Sequence, residues 1–386
     1  MFKFIKLKMK LAFYSSIGIP WGGSEVLWTD AALKALNQNH EILISVFDWP
    51  QQHSRINELK KNGARIIYRR TFFPSIFERF KKKVLNIFLK TGNKYTYHEY
   101  FNEFNADHIF FNLSGGDEIA IDRNDLFVFI KQTKIPYSVF YHSLSTKKYL
   151  NEEESSNFRF VLNKSSNNFF TSDMQIELLK NQLNCTINNA MILNHPLREI
   201  YFEKDIVIKD HVDLGIIGSL ITRWKGQDIV INILSKEKWR NLKFTLNIYG
   251  DGPDKEDLIM LIKNKGLKNK VRIHEYVDDV NKIFSENDLI LIPSKQDSGP
   301  IVLFEAMLAG KPVVGSNMGA IPDYLKTGYN GILSTGIDED AFELAFELAL
   351  KNKTKWRSWG LNSRDYLINN YDFNPSQTLL NIIAKN

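Results

Sequence analysis

The sequence predicts an α/β protein built from two doubly wound parallel-sheet halves, and three observations carry that prediction. Residues 288–293 (DLILIP) and 311–316 (KPVVGS) are short apolar runs bounded by Pro, Ser and Gly, the pattern of strands buried on both faces. Between them lie a polar loop, 295–299, and an apolar helix that Pro300 opens and Gly310 stops. Strand, loop, helix and strand thus fit within about thirty residues, the size of one βαβ unit. The same alternation fills the chain on both sides of residue 197, without any repeat of the residues themselves.

In order along the chain, residues 10–16 (KLAFYSS) read as the first strand. A turn-rich loop, IGIPWGGS, leads to an amphipathic helix at 24–37 and a second strand, EILISVF. Gly22 and Gly23 serve either as a turn and helix cap or as a place where backbone approaches a ligand, since neither carries a Cβ. A helix near 54–62 and the strand RIIY continue the pattern. Residues 74–90 carry Ile76, Phe80, Val84, Ile87 and Phe88 as a helical stripe, with Arg79, Lys81, Lys82, Lys83 and Lys90 around it. Such a basic amphipathic helix over 75–90 either packs on its domain or lies on an anionic membrane surface. Strands at 106–113 (ADHIFFNL), 136–142 (PYSVFYH) and 167–172 (NNFFTS) follow. His142 stands at a carboxyl strand end, where open parallel sheets collect ligands.

The second half begins on 212–218 (VDLGIIG). A helix at 227–235, the strand KFTLNIYG and a helix opened by Asp251-Gly252-Pro253 come next. The strand VRIHEYV and a short helix at 279–285 lead to the unit described first. Beyond Gly331 the pattern is helical only.

Composition sets bounds. At 386 residues the chain is long enough for two domains, with 44% hydrophobic and 24% charged residues, ordinary globular values. Its single cysteine, Cys185, excludes an internal disulfide framework and fits a reducing compartment. No apolar run approaches the ~18 residues of a membrane span, and the interleaved charges of residues 1–16 do not make a signal peptide. A net charge of +6 suits nucleic acid, an anionic membrane or anionic substrates alike.

Asp297 and Glu305 flank the start of the apolar helix, with the N–H groups of Ser298, Gly299 and their successors between them. A helix N-terminus beside a Gly-containing loop holds phosphate oxygens, and a carboxylate one turn on accepts from a ribose diol. The ordinary alternatives are a capping Asp and a solvated Glu, the second weakened because Glu305 lies in an otherwise apolar helix. Arg223 and Lys225, in a loop between strand and helix, are either solvated charges or cations for a departing diphosphate. No residue grouping has metal-ligand spacing, no nucleophilic triad is suggested, and no nucleic-acid-binding motif accompanies the basic charge.

Asp297, Glu305, Ala306, Met307, Gly310, Lys311, Pro312, Val313, Gly319, Ile321 and Pro322 together resemble the signature of glycosyltransferase family 4, retaining enzymes of the GT-B fold. Gly22-Gly23-Ser24-Glu25 resembles that family's Gly-Gly-x-Glu, and Asn194-His195-Pro196 its interdomain Asn-x-Pro. Lys225-Gly226 resembles the Lys-Gly that follows Gly-Arg-Leu, for which this chain has Gly218-Ser219-Leu220. Asp297 stands where the family most often has Glu. Ser219 replaces an Arg, leaving Arg223 as the nearest substitute charge.

The resemblance implies two Rossmann-like domains facing a cleft: an acceptor-side domain at 1–197 and a nucleotide-sugar domain at 198–370. Residues 371–386 would return to the first domain. It implies transfer with retention from a nucleotide-sugar donor, by family frequency a UDP-sugar, to a glycan or lipid-linked acceptor, without a metal or other cofactor. Lys225, Arg223, Asp297 and His142 would stand near the reacting centre. Gly22, Gly23, Gly218, Ser298, Gly299, Pro300 and Glu305 would hold the donor. The abundance of Asn, Lys and Ile points to an AT-rich bacterial genome, so a capsule, O-antigen or similar glycan is the expected product, made in the cytoplasm or on the inner face of the plasma membrane. An epimerase or phosphorylase would need acid/base carboxylates or a cofactor lysine, for which no motif is present. A non-catalytic sugar or nucleic-acid binder is favoured only by the pI of about 9.0.

Overall fold

The computed structural model describes residues 8–70, 97–116, 118–121, 123–144, 149–202, 210–275 and 277–385. The basic helix predicted at 74–90, and with it the membrane surface it would meet, lies outside these residues. The chain forms two compact units: residues up to 170 with 176–196 and 374–386, and residues 171–175 with 197–373.

The first unit is a seven-stranded sheet of β1 (Lys10–Ser15), β2 (Glu41–Asp48), β3 (Arg65–Arg70), β4 (His108–Leu113), β5 (Tyr137–Tyr141), β6 (Asn167–Phe170) and β7 (Ala190–Ile192). Their order is β3-β2-β1-β4-β5-β6-β7 and every pairing is parallel. The central strands β1, β2, β4 and β5 are covered on both faces, which is why they read as largely apolar runs. Leu11 and Phe13 of β1 pack against Trp28, Ala31 and Ala35 of the helix Ser24–Asn37 and against Leu379, Leu380 and Ile383 of the helix Pro375–Ile383. Ala12 and Tyr14 of the same strand pack on the other face, with Phe101, Phe111 and Phe129. Cys185 joins that second cluster, half-buried, as a small core hydrophobe does.

The second unit is a six-stranded sheet of β8 (Val212–Ile217), β9 (Phe244–Tyr249), β10 (Val271–His274), β11 (Leu289–Ile292), β12 (Val313–Gly315) and β13 (Ile332–Leu333). Its order is β10-β9-β8-β11-β12-β13, again all parallel. Contrary to the helical pattern expected beyond Gly331, the chain there first forms a strand. β13 is only two residues long and owes its identity to pairing with β12, Val314 against Ile332 and Gly315 against Leu333. β7 was not expected either; it is a short edge strand whose Met191 and Ile192 are each 38% exposed, so it has no buried pattern to read.

Candidate active site

In both sheets the strand order reverses once, between β1 and β4 and between β8 and β11. Loops leaving the carboxyl ends diverge at such a point, and the crevice between them is where open α/β sheets bind ligands. The predicted site residues fall at these two places. Two surface recesses, of about 640 Å³ beside Lys10, Glu41 and Arg65 and about 520 Å³ beside Phe284 and Lys311, lie toward the amino ends of strands instead.

In the second unit, Arg223 and Lys225 do not lie in the expected loop: Thr222–Lys225 form a single helical turn after β8, and that turn is stitched to the loop after β11. The N–H groups of Lys295 and Gln296 donate to the carbonyl of Trp224 at 2.8 and 3.0 Å. Gly226 has φ +67°, and a Cβ there would sit 2.0 Å from the carbonyl oxygen of Pro293, so only glycine lets the turn and the loop close. The closure sets Lys225 Nζ 2.5 Å from Asp297 Oδ2, with the side chains 28% and 11% exposed. Ser294 Oγ donates to the same oxygen at 3.3 Å, and the Ser298 N–H donates to Asp297 Oδ1 at 2.9 Å.

Asp297 is therefore not a helix cap. The helix Ile301–Leu308 has Pro300 as its N-cap, without a side-chain bond, so Pro300 stands one place before the helical position predicted for it. Gly319, at φ +58°, supports the loop from beneath; a Cβ there would lie 2.4 and 2.5 Å from the carbonyl oxygens of Asp297 and Ser298. Gly218 follows β8 directly and runs beside the stem of Lys225. Arg223 is exposed and lays its guanidinium over the Trp224 ring, 4.6 Å from the centroid; no bond to Asp297 is among its contacts.

Glu305 is 2% exposed and is no solvated surface carboxylate. Arg198 grips it as a fork, Nε to Oε1 at 2.7 Å and Nη2 to Oε2 at 3.0 Å, while the Arg198 side chain remains 45% exposed. Planar guanidinium matches carboxylate geometry and leaves part of the acceptor capacity of the two oxygens unused. The helix holding Glu305 is apolar because its other faces are core: Leu303, Phe304, Ala306 and Met307 are all buried.

In the first unit, Gly22 and Gly23 form the turn into the helix Ser24–Asn37, their carbonyls accepting from the N–H groups of Glu25 and Val26. That turn drops Glu25 into the switch point, 2% exposed. Its Oε1 accepts from Ser15 Oγ and from Asn112 Nδ2, both at 2.9 Å, at the carboxyl ends of β1 and β4. Burial pushes the Glu25 carboxyl up to about 7. Asn112 Oδ1 lies 2.6 Å from Nε2 of His142, which follows β5. The His142 ring stacks on His195 with centroids 5.2 Å apart, and burial together with that neighbour holds its pKa well below the usual range.

The sequence reading did not anticipate Arg198, Ser294 or Asn112, nor any role for the Glu25 side chain. Two of these had a visible signal: Asn112 is a polar residue at the carboxyl end of an apolar strand, and Glu25 lies on the buried face of its helix. Among the described residues, no group of three or more His, Cys, Asp and Glu side chains is arranged to hold a metal ion. No described helix is long and apolar enough to cross a membrane.

Comparison with known proteins is consistent with this geometry. Residues 199–369 match the family model described as glycosyl transferases group 1. Over 125 residues the chain is 31% identical to the N-acetyl-alpha-D-glucosaminyl L-malate synthase of Bacillus anthracis, covering 31% of this chain and 32% of that one. Over 117 residues it is 31% identical to the O-antigen biosynthesis glycosyltransferase WclY of Escherichia coli, covering 30% and 32%. In both cases the match spans 32% of the relative's own length. The solved structure of Alr3699/HepE from Anabaena, in complex with UDP, is similar with a TM-score of 0.70 at 19% identity, over 98% of this chain and 100% of that one. The fold is GT-B: two Rossmann-like parallel-sheet domains.

Proposed function

We propose that the chain is a retaining glycosyltransferase that moves a sugar from a nucleotide-sugar donor, a UDP-sugar, to a glycan or lipid-linked acceptor in cell-surface polysaccharide assembly. The observation that carries this reading is the Lys225–Asp297 pair at the β8/β11 switch point, with Glu305 following in the helix that starts there. The UDP held by HepE and the O-antigen role in the name of WclY support the choice of donor and product class.

The bond from the anomeric carbon to the diphosphate breaks, and the acceptor oxygen attacks from the same face. The acceptor proton leaves with the departing phosphate oxygen. Lys225 offsets the charge that grows on that oxygen, aided by the N–H groups of the helix Ile301–Leu308, and charge stabilisation of this kind acts without reorganisation at the moment of reaction. Asp297 receives the sugar hydroxyls, and Glu305 uses the acceptor capacity that Arg198 leaves over to hold the ribose diol. No metal is needed where basic side chains and N–H groups take the diphosphate charge. The basic segment 75–90 brings the protein to an anionic inner membrane leaflet, where lipid-linked acceptors reside.

The test is a donor panel. Incubation with UDP-, GDP- and ADP-sugars, scoring nucleotide release, should give release with the UDP-sugars; no release with any donor and an acceptor extract would refute the assignment.

A further inference from the structure

We infer that Glu25 is a positioning residue which, through Asn112, fixes the His142 imidazole as its Nε2–H tautomer. One hydrogen-bonded line crosses the β1/β4 switch point. Glu25 Oε1 receives two donors, Ser15 Oγ and Asn112 Nδ2. Above its raised pKa of about 7 the Glu25 carboxyl is ionised and only accepts, so at pH 8 it dictates which end of the Asn112 amide faces it, and the carbonyl end must then face His142. A carbonyl oxygen also only accepts. With Asn112 Oδ1 2.6 Å from Nε2, the ring hydrogen has to sit on Nε2, and the ring lone pair on Nδ1.

The alternative arrangement turns the amide over. It would bring Asn112 Oδ1 to 2.9 Å from a carboxylate oxygen, two acceptors in contact at a site where Glu25 and Asn112 are 2% and 1% exposed. An unmade charge-assisted bond in such a place is costly. Stacking on His195 at 5.2 Å and tilted contact with Phe140 at 4.1 Å hold the ring plane, so the tautomer also fixes the direction in which the lone pair points. A buried carboxylate is an expensive way to make a turn into a helix. As the group that orders Asn112 and His142 it has a reason to be there.

The inference rests on the proposed reaction only for its effect on turnover; the tautomer itself is read without substrate. The experiment is a two-bond ¹H–¹⁵N correlation spectrum of the histidine-labelled protein near pH 8, with the His142 signals identified by their loss in His142→Gln. The expected spectrum has His142 protonated on Nε2. A dominant Nδ1–H form would overturn the proposal without any variant having to fold. In Glu25→Gln the new amide can present either end to Asn112, so the ratio of Nε2–H to Nδ1–H should fall at least tenfold. In Ser15→Ala, which leaves the Glu25–Asn112 bond in place, the ratio should hold. An unmoved ratio in folded Glu25→Gln would show that Glu25 does not act on the ring. UDP titration of Glu25→Gln should match wild type, which separates this result from any failure of the donor assignment.

Discussion

Replacing Arg198 by Met removes a fork of two charge-assisted hydrogen bonds from Glu305, at 2.7 and 3.0 Å, while keeping most of the side-chain stem. Glu305, 2% exposed in the intact protein, loses that partner. A hydrogen bond to a charged group contributes about 1.5–3 kcal/mol, and breaking a buried pair by removing one member costs about 3–5 kcal/mol. The Arg198 side chain is 45% exposed, so water screens the pair and takes over part of its role. The loss should therefore fall near the low end, about 2–3 kcal/mol. The assay is a double-mutant cycle in denaturant with Arg198→Met, Glu305→Gln and the two combined. Because the neutral amide no longer needs the guanidinium, the double variant should lose less than the sum of the singles, by about 1.5–2.5 kcal/mol. UDP titration gives a second readout: Arg198→Met should weaken binding about tenfold, or 1.4 kcal/mol, and Glu305→Gln or Glu305→Ala by more. Singles that add within about 0.5 kcal/mol would refute the fork, and a Glu305 variant with unchanged UDP affinity would refute the ribose role.

Lys225→Ala should lower kcat about a hundredfold and disturb UDP affinity far less, because in the proposed reaction its charge acts on the leaving diphosphate; normal turnover, or strict dependence on added Mg²⁺, would sink that account. Arg223→Ala should show a smaller defect, since its guanidinium rests on Trp224. Asp297→Glu pushes a carboxylate about 1.5 Å further into Lys225, so transfer should fall by up to about a hundredfold, and Asp297→Asn should be worse because the charge is gone. A fully active Asn variant would reduce Asp297 to a brace of its loop. Burial raises Glu25 from 4.5 to about 7, so across that window the folded protein holds a proton the unfolded chain has lost, and stability falls as pH rises. At about 1.4 kcal/mol per unit, the stability of Glu25→Gln relative to wild type should improve by about 3 kcal/mol between roughly pH 4 and 8; a flat difference in paired denaturation curves would contradict the buried acid. Replacing Lys81, Lys82 and Lys83 with Gln should detach the protein from anionic vesicles at about 1 kcal/mol per charge, and unchanged co-sedimentation would refute the membrane role proposed for 75–90.

Much of the secondary structure was legible because its causes are local. A parallel strand covered on both faces has to be an unbroken apolar run, as at Leu289–Ile292, and a breaker has to end it. The helix Ser24–Asn37 announced both of its ends. The residues of the site were legible as types in a pattern: a carboxylate before the helix, another within it, a Lys-Gly after a strand. Where local signals were thin the reading failed. β13 exists only as the partner of β12, and Asp297 resembles a cap by position although its carboxylate turns to Lys225 instead.

Which of those residues meet was decided by tertiary structure alone. Lys225 and Asp297 are 72 positions apart, Glu25 and Asn112 87, Arg198 and Glu305 107. Each meeting depends on sheet order, and sheet order is set by long-range pairing that leaves no periodicity in the chain. A strand shows in the sequence that it is buried but not which neighbour buries it. The switch points, and the carboxylates and cations gathered there, follow from that second fact.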